Sequence, residues 1–208
     1  MRKAVIFDID GTLWDAKKTI RESWNEVLSE RGYKLLTDDD IESILGKSLP
    51  EIGDIFFSYL GEEIKNFLTD ECYRVQCINL KTRGGTLYPD EVATLKKLHE
   101  DYLLMILTNA GKGYIESYLN TSHTEDLFTD YICYGDTLKN KTENLRILIE
   151  RNNIDKAVYI GDTRDDQVYS ANANVPFIFA SYGFGKAIDP EYSITCFSEI
   201  PQVVKKIL

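Results

Sequence analysis

Two aspartates one residue apart, Asp8 and Asp10, close an apolar run that begins at Ala4, and Gly11 and Thr12 follow at once. On an extended strand, positions i and i+2 point the same way, so both carboxylates are expected to face one space. Side-by-side ionised carboxylates repel each other unless a cation or a shared proton compensates. Taken alone, Asp10-Gly11 would equally serve as an ordinary turn closing a strand. Far along the chain, Asp162 and Asp166 stand four apart across Gly161-Asp162-Thr163-Arg164-Asp165-Asp166, which reads as a strand-to-helix turn. With Asp8 they bring three or four carboxylates to one place. Hard oxygen ligands in such number suit Mg²⁺ rather than zinc, and no His/Cys cluster offers another choice.

Two further segments carry groups suited to an anion. Thr108-Asn109 follows the apolar run 103–107 and precedes a glycine-containing loop. A hydroxyl and an amide placed there can cradle a phosphate together with backbone donors. Lys141 immediately precedes a helical segment that begins at Thr142. A lysine at a helix N-terminus opposes the macrodipole, so it is expected to answer something anionic elsewhere. Lys139 is near enough to be its rival.

These residues need strands to carry them. The run from Ala4, rich in β-branched and aromatic residues, reads as a buried strand. About seventy residues of helical character follow. Ile20, Trp24, Val27 and Leu28 recur at helical spacing, with Gly32 as a stop. Thr37 with Asp38, Asp39 and Asp40 is a good N-terminus for a second helix, ended by Gly46. A third helix is expected over 48–59. A fourth carries Ile64, Phe67, Leu68, Cys72, Val75 and Ile78 as its inward face before Gly84-Gly85. Four helices with no strand between them predict a small inserted bundle.

From Tyr88 onward the pattern alternates. Helices are expected over 90–100, 112–119, 142–151, 164–172 and 198–208. Strands are expected over 103–108, 131–134, 157–160 and, as the last of the core, 177–179. Such alternation predicts an α/β fold with a doubly wound, Rossmann-like parallel sheet, whose ligand crevice lies beyond the carboxyl ends of its strands. Residues 1–14 and 86–208 would form this core. Residues 15–85, leaving and re-entering by two short links, would form a helical unit able to close like a lid.

Composition excludes several classes of function. The chain has 208 residues, 43% hydrophobic and 28% charged, with a formal net charge of -10. No basic run is available to neutralise a nucleic acid or an anionic membrane. Any anionic substrate must therefore be held by local positive charge, from a metal, a lysine or helix N-termini. The apolar stretch 102–107 is far too short to span a bilayer. Cys72, Cys77, Cys133 and Cys196 have no metal-site spacing, and no secretory leader is expected ahead of Asp8, so free thiols in the cytoplasm are expected.

Asp8-Ile9-Asp10-Gly11-Thr12-Leu13, Thr108-Asn109, Lys141 and Gly161-Asp162-Thr163-x-x-Asp166, in that order, resemble the four motifs of the haloacid dehalogenase superfamily. The helical insert looks like the cap of its phosphoglycolate phosphatase-like branch. Lys141-Thr142-Glu143-Asn144 looks like the Lys-x-Glu-Asn variant of the third motif. The resemblance implies that Asp8 is a nucleophile forming an aspartyl-phosphate, and Asp10 a general acid and base. It implies Mg²⁺ held by Asp8, the backbone carbonyl of Asp10 and Asp162, with Asp166 in support. Thr108 and Lys141 would hold the transferring phosphoryl oxygens. Tyr182-Gly183-Phe184-Gly185 resembles a loop of the same branch, and the sequence assigns it no chemistry.

The expected activity is a Mg²⁺-dependent phosphatase acting on a small phosphorylated metabolite such as phosphoglycolate, a sugar phosphate or a nucleotide monophosphate. Asp10 argues against a dehalogenase, whose chemistry needs neither an acid for an alkoxide nor a metal. A phosphosugar mutase on the same core is the rival enzyme. A phospho-ligand binding or regulatory protein without turnover is the rival of another class, although a mere binder has no need of Asp10. Lys47, at the Leu45-Gly46-Lys47-Ser48 junction of the bundle, is the candidate contact for a second anionic group on the substrate. The sequence carries no signature of oligomeric state.

Overall fold

The computed structural model describes residues 1–208. β1 (Lys3–Phe7) and the short β2 (Trp14–Asp15) precede the four helices α1 (Lys17–Glu30), α2 (Asp38–Glu42), α3 (Leu49–Phe57) and α4 (Glu62–Arg83). There follow β3 (Thr86–Leu87), α5 (Glu91–His99), β4 (Leu103–Thr108), α6 (Tyr114–Ser122), β5 (Phe128–Cys133) and α7 (Tyr134–Thr137). The chain ends with α8 (Lys141–Arg151), β6 (Lys156–Gly161), α9 (Arg164–Asn172), β7 (Phe177–Ala180), β8 (Tyr192–Ile194) and α10 (Ile200–Ile207).

Six parallel strands form one sheet in the order β5-β4-β1-β6-β7-β8. From β1 the chain winds outward to β4 and β5, then returns and winds the other way through β6, β7 and β8. The reversal beside β1 is a topological switch point, where the carboxyl ends of β1, β4 and β6 open a crevice. Alternate residues of each strand feed two cores. Val5 and Phe7 face Leu95 and Leu98 of α5 and Ile200 and Val204 of α10, whereas Ala4 and Ile6 face Leu145 and Leu148 of α8. Coverage on both faces explains why these strands read as unbroken apolar runs.

The helical segment is held by its own contacts and shares the larger core with the sheet. Trp24 of α1 stacks on Phe57 and meets Phe56 edge-on, and its indole N–H donates to Gln76 Oε1 of α4 at 2.6 Å. Thr37 and Ser48 cap α2 and α3 through reciprocal bonds with Asp40 and Glu51. β2 and β3 pair antiparallel, Trp14 with Leu87 and Asp15 with Thr86, so the two chain crossings lie side by side.

Three expectations are corrected. β1 ends at Phe7, so Asp8 and Asp10 lie just past the strand rather than on it; Asp8 N–H still donates to Ile160 O at 2.9 Å, extending the ladder by one residue. The inward face of α4 is Leu68, Thr69, Cys72, Gln76, Asn79 and Leu80, while Ile64, Phe67 and Ile78 are about half exposed. Polar residues take the inner positions because each finds a partner there: Gln76 accepts from Trp24, and the Asn79 amide donates to Ser23 Oγ at 3.0 Å. Finally, 177–179 is not the last core strand, since β8 adds a sixth beyond β7.

Candidate active site

Asp8 and Asp10 are placed by a tight turn. The amides of Thr12, Leu13 and Trp14 all donate to Ile9 O, and Gly11 N–H donates to Trp14 O. Gly11 has φ +80, and a Cβ there would lie 2.2 Å from Asp162 Oδ2. Backbone conformation and close approach both demand glycine. The turn keeps both carboxylates on one cavity between the sheet and the helical segment, walled by Ile44, Gly46 and Leu49 on one side and by Thr108 and Tyr114 on the other.

Lys141 supplies the positive charge. It is the first residue of α8, whose N-cap Asn140 accepts from Glu143 N–H at 3.0 Å. Its ammonium is 2% exposed and donates to Asp8 Oδ1 at 2.6 Å and to Asp166 Oδ1 at 2.7 Å. Two buried carboxylates outweigh the unfavourable helix end. Lys139, by contrast, is exposed. Burial acts to lower the Lys141 pKa, but the charges of Asp166 and Asp8 prevail and hold it well above its ordinary value. For Asp166, burial is likewise overcome by Lys141 and by the donors Thr163 and Tyr159, and its pKa is lowered.

Asp166 has no oxygen to spare. Oδ1 also accepts from Tyr159 Oη at 3.0 Å, and Oδ2 accepts from the Thr163 hydroxyl at 2.6 Å and the Thr163 amide at 3.2 Å. Asp162 is different. Its Oδ2 accepts from the amides of Phe184 (2.7 Å) and Gly185 (3.1 Å), whereas Oδ1 is buried without a partner. A buried carboxylate oxygen left unpaired is costly unless a cation meets it. Oxygen atoms of Asp8, Asp162 and Asp166 lie within 4.8 Å of one another. This orphaned oxygen among hard donors fits a divalent cation.

The remaining carboxylates are poised near neutrality in the ion-free protein. Burial raises Asp8 to about 7, with Lys141 opposing and the charges of Asp166 and Asp162 adding to the rise. Burial and the neighbouring Asp166 raise Asp162 to about 7 against its two amide donors. Asp10, half-buried on the cavity wall, is raised to about 7 by its desolvation, partly offset by a hydrogen bond from Tyr114. That bond, from Tyr114 Oη to Asp10 Oδ1, measures 2.5 Å.

Thr108 ends β4 on the cavity wall, where its hydroxyl accepts from Ala110 N–H at 3.2 Å. Asn109 also lines the cavity, but its amide donates to Gly46 O of the helical segment at 2.8 Å. Lys47, half-buried, reaches the same wall beside Leu49 and Ile52. The structure therefore brings Asp8, Asp10, Thr108, Asn109 and Lys47 onto one cavity, with Lys141, Asp162 and Asp166 clustered around Asp8. Sequence reasoning missed Tyr114, Tyr159, Tyr73 and Gln76. Tyr114 and Tyr159 sit at apolar spacings in a helix and a strand, so their types suggested core. Only the fold reveals that their hydroxyls face carboxylates.

A buried lysine between aspartates at a switch point, under a helical insert, is a constellation shared with known proteins. The model of the haloacid dehalogenase-like hydrolase family matches residues 5–180, and the chain belongs to that family. Phosphoglycolate phosphatase of Rhodobacter capsulatus is 31% identical over 217 residues, covering 99% of this chain and 98% of its own. Within the family, the chain is a phosphatase. Its fold is that of a predicted phosphoglycolate phosphatase from Haemophilus somnus (TM-score 0.86, 18% identity, 97% of each chain). It is equally that of CbbY from Rhodobacter sphaeroides, solved with xylulose 1,5-bisphosphate (TM-score 0.82, 15% identity, 96% of each chain). No helix is long and apolar enough to cross a membrane.

Proposed function

We propose that this phosphatase hydrolyses a small phosphomonoester through an aspartyl-phosphate on Asp8. The observation that carries the reading is Asp8, bound by the buried Lys141 and lining the same cavity as Asp10. Asp8 attacks phosphorus, and the bond from phosphorus to the ester oxygen breaks. Asp10, protonated, gives its proton to the departing alkoxide. It then takes a proton from the water that attacks the acyl phosphate, freeing Asp8 and inorganic phosphate. A pKa near 7 suits both duties. Lys141 and Thr108 neutralise and orient the phosphoryl oxygens, and Asp166 keeps Lys141 aimed. Asp8, the backbone carbonyl of Asp10 and Asp162 would hold Mg²⁺, which supplies further charge neutralisation at the phosphoryl group.

Residues 15–85 act in this reading as a cap over a core formed by 1–14 and 86–208, the paired β2 and β3 serving as hinge. The Asn109–Gly46 bond ties the cap to the phosphoryl site. The substrate is short and acidic. Lys47 is the cation on the cap wall, matched to a carboxylate beyond the ester, and 2-phosphoglycolate, named for the Rhodobacter capsulatus relative, has that chemistry.

The test is Mg²⁺-dependent phosphate release from phosphoglycolate, sugar phosphates and nucleotide monophosphates, with Asp8→Asn as control. Release that vanishes in the variant and in chelator is expected, with phosphoglycolate preferred. Wild-type protein that is folded but releases no phosphate from any of them would overturn the reading.

A further inference from the structure

Beyond the phosphoryl site lies the Tyr182-Gly183-Phe184-Gly185 loop after β7. Its backbone grips Asp162, and its Tyr182 side chain grips the Asp8–Trp14 turn. The amides of Phe184 and Gly185 both donate to Asp162 Oδ2, and Tyr182 Oη donates to Thr12 O at 2.9 Å. Contact is so close that side chains are excluded. A Cβ on Gly183 would lie 2.4 Å from Asp162 Cβ and 2.4 Å from Gly11 O, and one on Gly185 would lie 2.5 Å from Asp162 O. The Phe184 ring meets the helical segment, with Lys17 Nζ 4.2 Å from its centroid.

The consequence is an asymmetric carboxylate. Oδ2 is held by two backbone donors, while Oδ1 is buried and unpartnered. A carboxylate free to rotate would exchange these roles or turn away from Asp8. We propose that the Tyr182–Gly185 loop is the positioning element for Asp162, fixing one oxygen so that the other is presented to a divalent cation. The inference rests on the reading of Asp162 as a cation ligand. Partners that orient a metal-binding group typically change affinity 10- to 100-fold when disrupted.

The experiment is calorimetric titration of the whole protein with Mg²⁺ alone and with Mn²⁺ alone, after chelator treatment. Thermal unfolding in chelator reports whether each variant is folded. Gly183→Ala forces Asp162 or the loop to shift, and about 10- to 100-fold weaker binding is expected. Tyr182→Phe removes only the anchor to Thr12 O and is expected to weaken binding several-fold. Gly61→Ala, with open space around the added methyl, is expected to bind as wild type. In turnover, the loop variants should need more Mg²⁺ for half-maximal rate while the substrate KM at saturating Mg²⁺ stays unchanged.

Asp162→Asn separates the two levels of the argument. If it loses binding while both loop variants fold and bind as wild type, the loop has no positioning role and the cation reading stands. If it binds as wild type, the cation reading fails and the proposal with it. Should Gly183→Ala not fold, Tyr182→Phe decides by the same criterion.

Discussion

Replacing Lys141 by Met keeps most of the apolar stem of the side chain and removes its ammonium, leaving Asp8 and Asp166 buried together without a cation. Both carboxylates are under 6% exposed in the side chain, so water cannot substitute for the ammonium. Removing one partner from a buried ion pair costs about 3–5 kcal/mol. At about 2–4 °C per kcal/mol for a chain of this size, Tm should fall by roughly 6–20 °C at pH 8. The loss depends on pH, and its sign is fixed. In the wild type, Asp166 has a lowered pKa, so its pairing stabilises above the carboxylate value of the unfolded chain and is lost as pH falls. In the variant, both carboxylates are raised, because burial already lifts Asp8 to about 7 against Lys141. Since Asp8 is raised in both proteins, the folded variant holds an extra proton relative to the wild type on Asp166, and the stability it gives is present at low pH and is lost as pH rises above the carboxylate value of the unfolded chain. The gap between the two proteins should therefore be small near pH 5 and widen by about 1.4 kcal/mol per pH unit for each extra proton. Melts of metal-free protein at pH 5, 6, 7 and 8 measure this directly. Lys139→Met, at an exposed site, should stay within about 0.5 kcal/mol of wild type. Phosphate release by Lys141→Met should fall about 10²- to 10³-fold. Parallel pH curves, or a Tm shift no larger than that of Lys139→Met, would refute the reasoning.

Tyr114→Phe removes the donor to Asp10 and should lower kcat about 10-fold or more with little change in KM; a changed KM at constant kcat would mean that Tyr114 acts on substrate binding instead. Lys47→Ala should raise KM for phosphoglycolate about 10-fold and leave an uncharged alkyl phosphate unaffected, and steady-state kinetics on the pair decides it. Glu91, buried beneath Tyr118 and the Tyr88 amide, is raised to about 8 by burial against both donors. Its proton stabilises the fold fully below about pH 4.5, and that contribution is lost as pH rises through about 8. In metal-free melts from pH 5 to pH 8, Glu91→Gln should show a shallower decline in Tm than wild type; equal slopes would remove Glu91 from the account.

The strands that carry the site were legible because burial on both faces writes itself as unbroken apolar runs: β1, β4 and β6 stand where Ala4–Phe7, Leu103–Thr108 and Ala157–Ile160 suggest. Carboxylates and Thr108 at their ends could be read as a set because a parallel sheet collects strand ends at one edge. Less legible was α4, where a count of apolar residues chose Ile64, Phe67 and Ile78 for the inside. Polar Gln76 and Asn79 are buried there instead, a choice made by partners on α1, more than fifty residues away. β8 escaped because Tyr192–Ile194 is too short for any periodicity to register.

Residue types and order alone thus determined the chemical class of the site: an acidic protein with paired aspartates, a threonine and a lysine at strand ends. Local signals sufficed, since alternation of apolar strands with capped helices is written in neighbouring residues. The tertiary structure decided which lysine faces Asp8, which oxygen of Asp162 is free, and that a tyrosine holds Asp10. Those outcomes depend on contacts between residues 22 to 133 positions apart. Contacts over such separations are set by how the packed elements meet, and no local pattern encodes them.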